Sequence, residues 1–385
     1  MLDYFKKKLT ELIDSLVSPL WSRLLASSWW VRLCAVGIAA AIAASITFWS
    51  MLQPWVELAM YVPRAAFGRA GQLPLQDALR QRETLERLRM VVVADLHVQK
   101  PKPSSWTAAE NVWVLANFPE PAKDFDLAAF ARARAKQPCS CWTELPDRPG
   151  DPASVFISGF VLAALATQAT VASSAEIGFL LREQNDQGSW PMFEGVKSYE
   201  HASAYTTAWA LIGLHAQRQL VDQAQQQLID EAIERGRAWL LRVGEPGARW
   251  RAYPALAGSS VSESISGTVL HALHLLGTKS LTTLDDEWLQ KLPRVPEAGA
   301  VEHVYVVTQT PLGEIHDNSE QVILPWMLAA TVDAYANGGL LNRAQALRWI
   351  ERALSSPDVL AGERLKDSWT RAELLYGLQY SLRQR

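Results

Sequence analysis

The chain has 385 residues, 49% of them hydrophobic, with a formal net charge of −3, 16 tryptophans and 3 cysteines. That length buries a large core, in one big domain or two ordinary ones. The charge balance excludes a chain organised around a basic surface for nucleic acid, and so few cysteines exclude a disulfide framework.

Residues 1–28 mix charged and apolar residues at helical spacing, which predicts an amphipathic helix lying near a membrane surface. Residues 29–55 predict a single transmembrane helix. Its centre, Leu33 to Leu52, carries no charge and is long enough to span a hydrocarbon core of roughly 30 Å. Trp29 and Trp30 flank one end and Trp49 and Trp55 the other, as an aromatic belt would. The small residues "AIAAS" fall in the middle of the run rather than at its end, which separates it from a signal peptide. Lys6, Lys7, Lys8, Arg23 and Arg32 precede the span, and Arg64 and Arg69 follow it. This bias favours a cytoplasmic N-terminus, with the body on the periplasmic side of a bacterial inner membrane. The expected partners are the bilayer, through residues 33–52, and another protein of a membrane assembly.

Residues 56–104 read as a connector. It carries a helix, "LQDALRQRETLERLRM", a strand-like piece, "MVVVADLHV", and a linker, "QKPKPSS".

From residue 105 to 385 the pattern is helical and repeats itself. "SWTAAENVWVL" (Ser105 to Leu115) matches "SWTRAELLYGL" (Ser368 to Leu378). Between them Trp142, Trp190 and Trp250 each precede a helix of small and apolar residues, and "HDNSEQVILPWMLAATVDAY" has the same helix type. These inner-type helices are expected to begin near 106, 154, 203, 264, 319 and 370, about 50 to 60 residues apart. The helix before each is amphipathic and charged, as in "IDEAIERGRAWLLRV" ahead of "GEPGARW". The fold class is therefore all-α: a transmembrane helix, then an α/α toroid of about six helix pairs, small apolar helices inside and charged ones outside.

One junction spells Q-x-x-x-G-x-W at Gln184, Gly188 and Trp190. The glutamine is placed to hydrogen-bond the turn backbone, the glycine permits the turn, and the indole covers the junction. "FLLREQNDQGSW" resembles the QW motif of squalene-hopene cyclases and related triterpene cyclases. "SAYTTAWALIGL" is similar to the inner helices of that superfamily, which includes protein prenyltransferase β subunits. The resemblance covers residues 105–385; its counterparts at Trp106, Trp250 and Trp369 are degenerate.

The resemblance implies an isoprenoid substrate and an activated aspartate in a D-x-D-D motif. The chain has no D-x-D-D, and no D-D-x-x-D for magnesium-diphosphate chemistry. The paired acids Asp285 and Asp286, with Glu287, fit helix capping better than catalysis. Acids recur near the starts of inner-type helices: Glu110, Glu200, Glu263, Asp317, Glu320 and Glu373. They either gather at one mouth of the central cavity or compensate helix dipoles. "IHDNSE" occupies the place of a cyclase acid motif, so Asp317 is the candidate acid, with His316 or Glu320 tuning it. His201, His271 and His274 also fall on inner-type helices. With Cys139 and Cys141 they form a secondary zinc candidate, as in prenyltransferase β subunits and lanthionine cyclases. C-x-C is a poor structural-zinc spacing, so no metal or cofactor is expected, and the two cysteines are thiols or a disulfide.

Three functions follow. The first is a non-catalytic scaffold subunit of a membrane assembly. The second is an isoprenoid- or lipid-modifying enzyme of the cyclase and prenyltransferase type. The third is a carbohydrate-active α/α barrel, which needs two carboxylates across a cleft.

Overall fold

The computed structural model describes residues 45, 47–49, 52–53, 55–56, 58–63, 65, 75–97, 104–116, 125–144, 150–256, 258–278, 281–310 and 313–383, with the backbone alone at 75–79, 305–310, 313–318 and 383. The chain divides into two compact units, Met1–Met60 and Tyr61–Arg385. The described residues of the first are helical and expose Phe48, Trp49 and Trp55. The amphipathic segment 1–28 and most of the expected anchor at 33–52 lie outside the described residues. Among the described residues no helix is long and apolar enough to cross a membrane.

In the second unit six helices close into a ring: α2 (Ser105–Leu115), α4 (Val155–Thr167), α6 (Ala204–Arg218), α8 (Glu263–Leu275), α10 (Leu324–Asn337) and α13 (Ser368–Arg383). Each packs on the next, and α13 returns to α2. Their composition explains the position. In α4, "VFISGFVLAALAT", every residue from Val155 to Leu165 is buried, which suits a helix with neighbours on all sides. Close approach is made by glycines. A methyl group on Gly213 would stand 2.3 Å from the carbonyl oxygen of Gly159, and one on Gly267 would stand 2.6 Å from that of Trp326.

Outer helices pack around this ring. They are α1 (Leu75–His97), α3 (Leu127–Arg132), α5 (Ser174–Glu183), α7 (Gln223–Val243), α9 (Thr282–Lys291), α11 (Leu340–Leu354) and the short α12 (Pro357–Leu360). α7 buries Ile229, Ala232, Ile233, Gly236 and Leu240 along one face, the amphipathic stripe of an outer helix. Asp222 caps its start, and Ser173 with Glu176 makes a capping box on α5.

The turn tryptophans are staples between the two layers. The indole N–H of Trp142 donates to the Ala131 carbonyl at 2.8 Å, that of Trp190 to Leu180 at 2.7 Å, and that of Trp250 to Leu240 at 2.9 Å. Each acceptor lies at the end of an outer helix, where carbonyls lack helical partners. The backbone N–H of Trp190 donates to the Thr207 hydroxyl at 3.1 Å and that of Trp250 to the Ser266 hydroxyl at 2.9 Å, both on inner helices. Gln184 completes the junction at Trp190. Its amide donates to the carbonyls of Gly188 and Ala232, each at 2.8 Å, and its oxygen accepts from Arg235. Gly188 has φ +96°, a conformation glycine adopts without a Cβ clash. Trp106 and Trp369 have a different role: both sit inside inner helices α2 and α13, with ring centroids 6.3 Å apart.

Three expectations are corrected. The strand-like piece after Met90 continues one helix, α1, whose Leu85, Leu88, Val92 and Leu96 are core residues. α1 packs on α2 and α13, so the helical body reaches into the segment read as a connector. The fold is mostly helical, as expected, but among the described residues two antiparallel hairpins interrupt the helices. Val301–Thr310 (β3) and Gly313–Val322 (β4) form an antiparallel hairpin, and Trp250–Arg251 (β1) pairs with Val261–Ser262 (β2). Consequently the fifth inner helix starts at Leu324, with Pro325 in its first turn, and "IHDNSE" lies on β4.

Candidate functional site

Inner helices start with serines. Ser104, Ser154, Ser203 and Ser262 each accept a hydrogen bond from the backbone N–H three residues on, at 3.1 to 3.2 Å. These caps define one end of the ring. There a cavity of about 420 Å³ opens, walled by the aromatic rings of Trp106, Phe156, Tyr205 and Trp369 and by Ile157, Met192 and Ile265. The hairpin contributes Val304, Ser319, Glu320 and Gln321 to its lining, and Glu144 joins them. The base of the hairpin is pinned to the start of α8. The Glu302 carboxylate accepts from the backbone N–H of Glu263 at 2.9 Å and of Ser264 at 3.1 Å, and from the Ser264 hydroxyl at 3.0 Å. A carboxylate at a helix N-terminus is favoured by the dipole and by charge-assisted bonds.

Glu373 of α13 also lines the cavity, and only 3% of its surface is exposed. Burial pushes its carboxyl up to about 8, against the opposing effect of the Trp326 indole, which donates to Oε2 at 2.9 Å. Glu110 of α2 is fully buried beside it. Burial, and then the negative charge of Glu373, hold Glu110 well above the usual carboxylate range. Neither Glu110 oxygen has a hydrogen-bonding partner among the described protein residues. Burial of this kind favours the protonated form. Tyr205 is likewise pushed up by burial and by the two glutamates. Burial thus holds Glu373 and Glu110 toward their protonated forms, carboxylic acids beside aromatic faces.

Aromatic rings fill the ring axis beyond it. Phe160 stacks on Trp209 at 3.8 Å and Trp113 on Tyr376 at 4.1 Å. Then comes a buried polar chain. His271 meets Asp333 Oδ2 through Nδ1 at 2.8 Å and the Tyr376 hydroxyl through Nε2 at 2.5 Å, and the Tyr380 hydroxyl donates to Asp333 Oδ1 at 2.5 Å. Asp333 and Tyr380 reach a second cavity at the C-terminal ends of α8 and α10, beside His274 and Asn337. His274 Nε2 lies 2.9 Å from Asp285 Oδ1. Burial opposes its charge, but that hydrogen bond and the charges of Asp333 and Asp285 outweigh it and raise the imidazole.

Of the acids expected at one mouth, Glu373 and Glu110 come together. Glu200 is exposed in a short turn beside His201, and Glu263 forms an ion pair with Arg249 at the start of α8. Glu320 lines the cavity, with His303 Nδ1 3.5 Å from Oε1. Asp317 and His316 pair in the hairpin with Val306 and Val307; their side chains lie outside the described residues. Asp285 is held by His274, Asp286 accepts from Asn342, and Glu287 accepts from the backbone N–H of Gly247, so all three have structural partners. Cys139 and Cys141 are joined as a disulfide, with Cα atoms 5.2 Å apart. Their neighbour is Glu194 rather than His201. Trp326 and Tyr205 were not singled out as site residues, because nothing in a helix pattern distinguishes a ring facing a cavity from one facing the core.

No protein-family model matches the chain, and no curated protein matches it. Among solved structures it is similar to a family 105 glycoside hydrolase of C. acetobutylicum ATCC 824, with a TM-score of 0.39 and 10% identity over 55% of this chain and 72% of that one. That likeness bears on neither substrate nor mechanism.

Proposed function

We propose that the chain is an enzyme that acts as a general acid on an uncharged, largely apolar ligand held in the central cavity, with Glu373 as the proton donor. The observation that carries this reading is a carboxyl pushed up to about 8 in the wall of an aromatic-lined cavity. A carboxylic acid that keeps its proton at neutral pH is available as a general acid, and aromatic faces stabilise positive charge that develops on the ligand. Glu110, buried nearby, is held toward its protonated form by burial and by the negative charge of Glu373. On this reading the proton donor is on α13 rather than at Asp317, and the chain is an enzyme rather than a scaffold. An isoprenoid chain suits the apolar walls best. The uncharged run at 33–52 would hold the body at a bilayer, near such a ligand.

A saccharide is the second reading, because Glu144 and Glu320 line the same cavity as Glu373 and supply the further carboxylate that glycoside hydrolysis needs.

Native mass spectrometry of the detergent-extracted full-length protein is the test, on the wild type and on Glu373→Gln. A polyprenyl mass retained by both and converted only by the wild type supports the reading. A retained oligosaccharide moves it to the second. A retained protein subunit with no small molecule returns the chain to the scaffold class.

A further inference from the structure

The loop between α3 and α4 and the segment between α5 and α6 bring together a group of side chains that the central cavity does not use. The Sγ atoms of Cys139 and Cys141 and a carboxylate oxygen of Glu194 all lie within 4.8 Å of one another. Cys141 is fully buried, and Cys139 and Glu194 are half-buried. Ser140, between the cysteines, takes a left-handed φ of 52°. The backbone around the group is anchored independently of the disulfide. The Lys136 N–H donates to the Cys141 carbonyl at 2.8 Å. Trp142 is fastened to Ala131. Glu194 accepts from the Ala153 backbone N–H at 3.0 Å and from the Lys136 ammonium.

The geometry points to a redox-gated metal site: with the disulfide opened, the Cys139 and Cys141 thiolates and the Glu194 carboxylate hold one thiophilic divalent cation of the zinc class. Opening requires a two-electron reductant, a phosphine in the test tube or a dithiol in the cell. The dithiol becomes its own disulfide, or the phosphine becomes its oxide with oxygen from water, and the protein's S–S bond takes two electrons and two protons to give two thiols. Metal binding then releases those two protons as the metal–sulfur bonds form, and the Lys136 ammonium leaves Glu194 to the ion.

Two arguments support the ion. On a tetrahedral zinc with sulfur at about 2.3 Å and oxygen at about 2.0–2.2 Å, neighbouring ligand atoms stand roughly 3.5–4 Å apart. The Glu194 carboxylate already lies within 4.8 Å of both sulfurs, and opening the disulfide lets the two sulfurs separate to that spacing by side-chain rotation. Charge is the second. Two thiolates, one carboxylate and one ammonium sum to −2, which a divalent cation neutralises, whereas without the ion the opened cysteines stay protonated as thiols. A water completes the fourth position, as the loop is open to solvent at Cys139.

The test uses cobalt(II), whose bonds to thiolate give a charge-transfer band. It is run on the full-length protein in a Cys34→Ser background, so that the remaining thiol does not contribute. The chain is reduced with a phosphine and desalted without oxygen, and alkylation followed by mass measurement counts the free thiols. The expected result is a band that saturates at one equivalent of cobalt in the reduced chain and is absent from the oxidised one. It is lost in Cys139→Ser and in Cys141→Ser, and binding is about 10-fold or more weaker in Glu194→Gln. Far-ultraviolet circular dichroism on each variant separates loss of the site from loss of the fold. The assignment is overturned by a reduced chain that gives no band, by a band unchanged in Cys139→Ser, or by a disulfide that the phosphine leaves closed. None of these outcomes depends on the proposed chemistry at Glu373.

Discussion

The indole nitrogen of Trp326 donates to Glu373 Oε2 at 2.9 Å, joining neighbouring inner helices through a pair buried from solvent. The bond favours the ionised carboxylate and burial opposes it, and burial wins, which is why the group sits at about 8. A folded-state value above the unfolded one means that the native state binds the proton more tightly. Between the ordinary carboxylate range and about 8, stability therefore falls as pH rises. Glu373→Gln removes that loss. Its Tm is expected to match the wild type near pH 5 and to exceed it by on the order of 5 °C near pH 8. Thermal melts across that range decide it, and parallel curves for the two proteins would show that Glu373 is ionised throughout.

The His274–Asp285 pair has its own pH dependence. The imidazole is raised in the fold, so its contribution is fully present below the ordinary histidine value and is lost as pH rises through the raised one. Asp285→Asn is expected to be clearly less stable than the wild type at pH 6, with the gap narrowing by pH 9. Denaturant midpoints at the two pH values measure it. A gap that widens with pH reverses the assignment.

Gly213 is where two inner helices touch. A methyl group there overlaps the Gly159 carbonyl at 2.3 Å, so α4 and α6 must move apart. Gly213→Ala is expected to cost about 3 kcal/mol or more. Gly258→Ala, where nothing stands within 4 Å, is the control and should be within about 0.5 kcal/mol of the wild type. Urea unfolding of both tests the contrast.

Removing α1 should be far more harmful than trimming a linker. It withdraws Leu85, Leu88, Val92 and Leu96 from the core, at about 1.5–3 kcal/mol each. It also removes Asp95, which binds Arg371 of α13 at 2.7 and 2.9 Å. A chain beginning at residue 105 is expected to aggregate. Size-exclusion chromatography would show a monomer peak if α1 were dispensable.

The ring was legible because it is periodic. Six inner-type helices, five of them starting within a few residues of where they were placed, follow from small residues recurring between tryptophan turns. The Gln184, Gly188 and Trp190 junction follows from residue types whose hydrogen-bonding reach is short and local. The hairpin was not read, although "VEHVYVVTQT" is rich in β-branched residues and "PLG" marks a turn, because the helix it precedes was extended backwards over it. That error put Asp317 at a helix start. Glu110 and Glu373 were both noted, but their pairing depends on closure of α13 against α2, a contact between distant segments that no local pattern encodes. The continuation of α1 past Met90 was missed because "VVV" reads as strand by propensity. Packing against two helices overrode that preference.

The join between α2 and α13 is also where two buried carboxyls meet, Glu110 on one side and Glu373 on the other. Architecture and acidity thus share a single event. Until the last inner helix docks, neither carboxyl is buried and each keeps its ordinary acidity. The same coupling removes a freedom that other folds have. A mutation that loosens the seam lets water reach both carboxyls and restores their ordinary acidity before the ring itself comes apart. Loss of the raised carboxyl titration would then be the earliest sign of an opening ring.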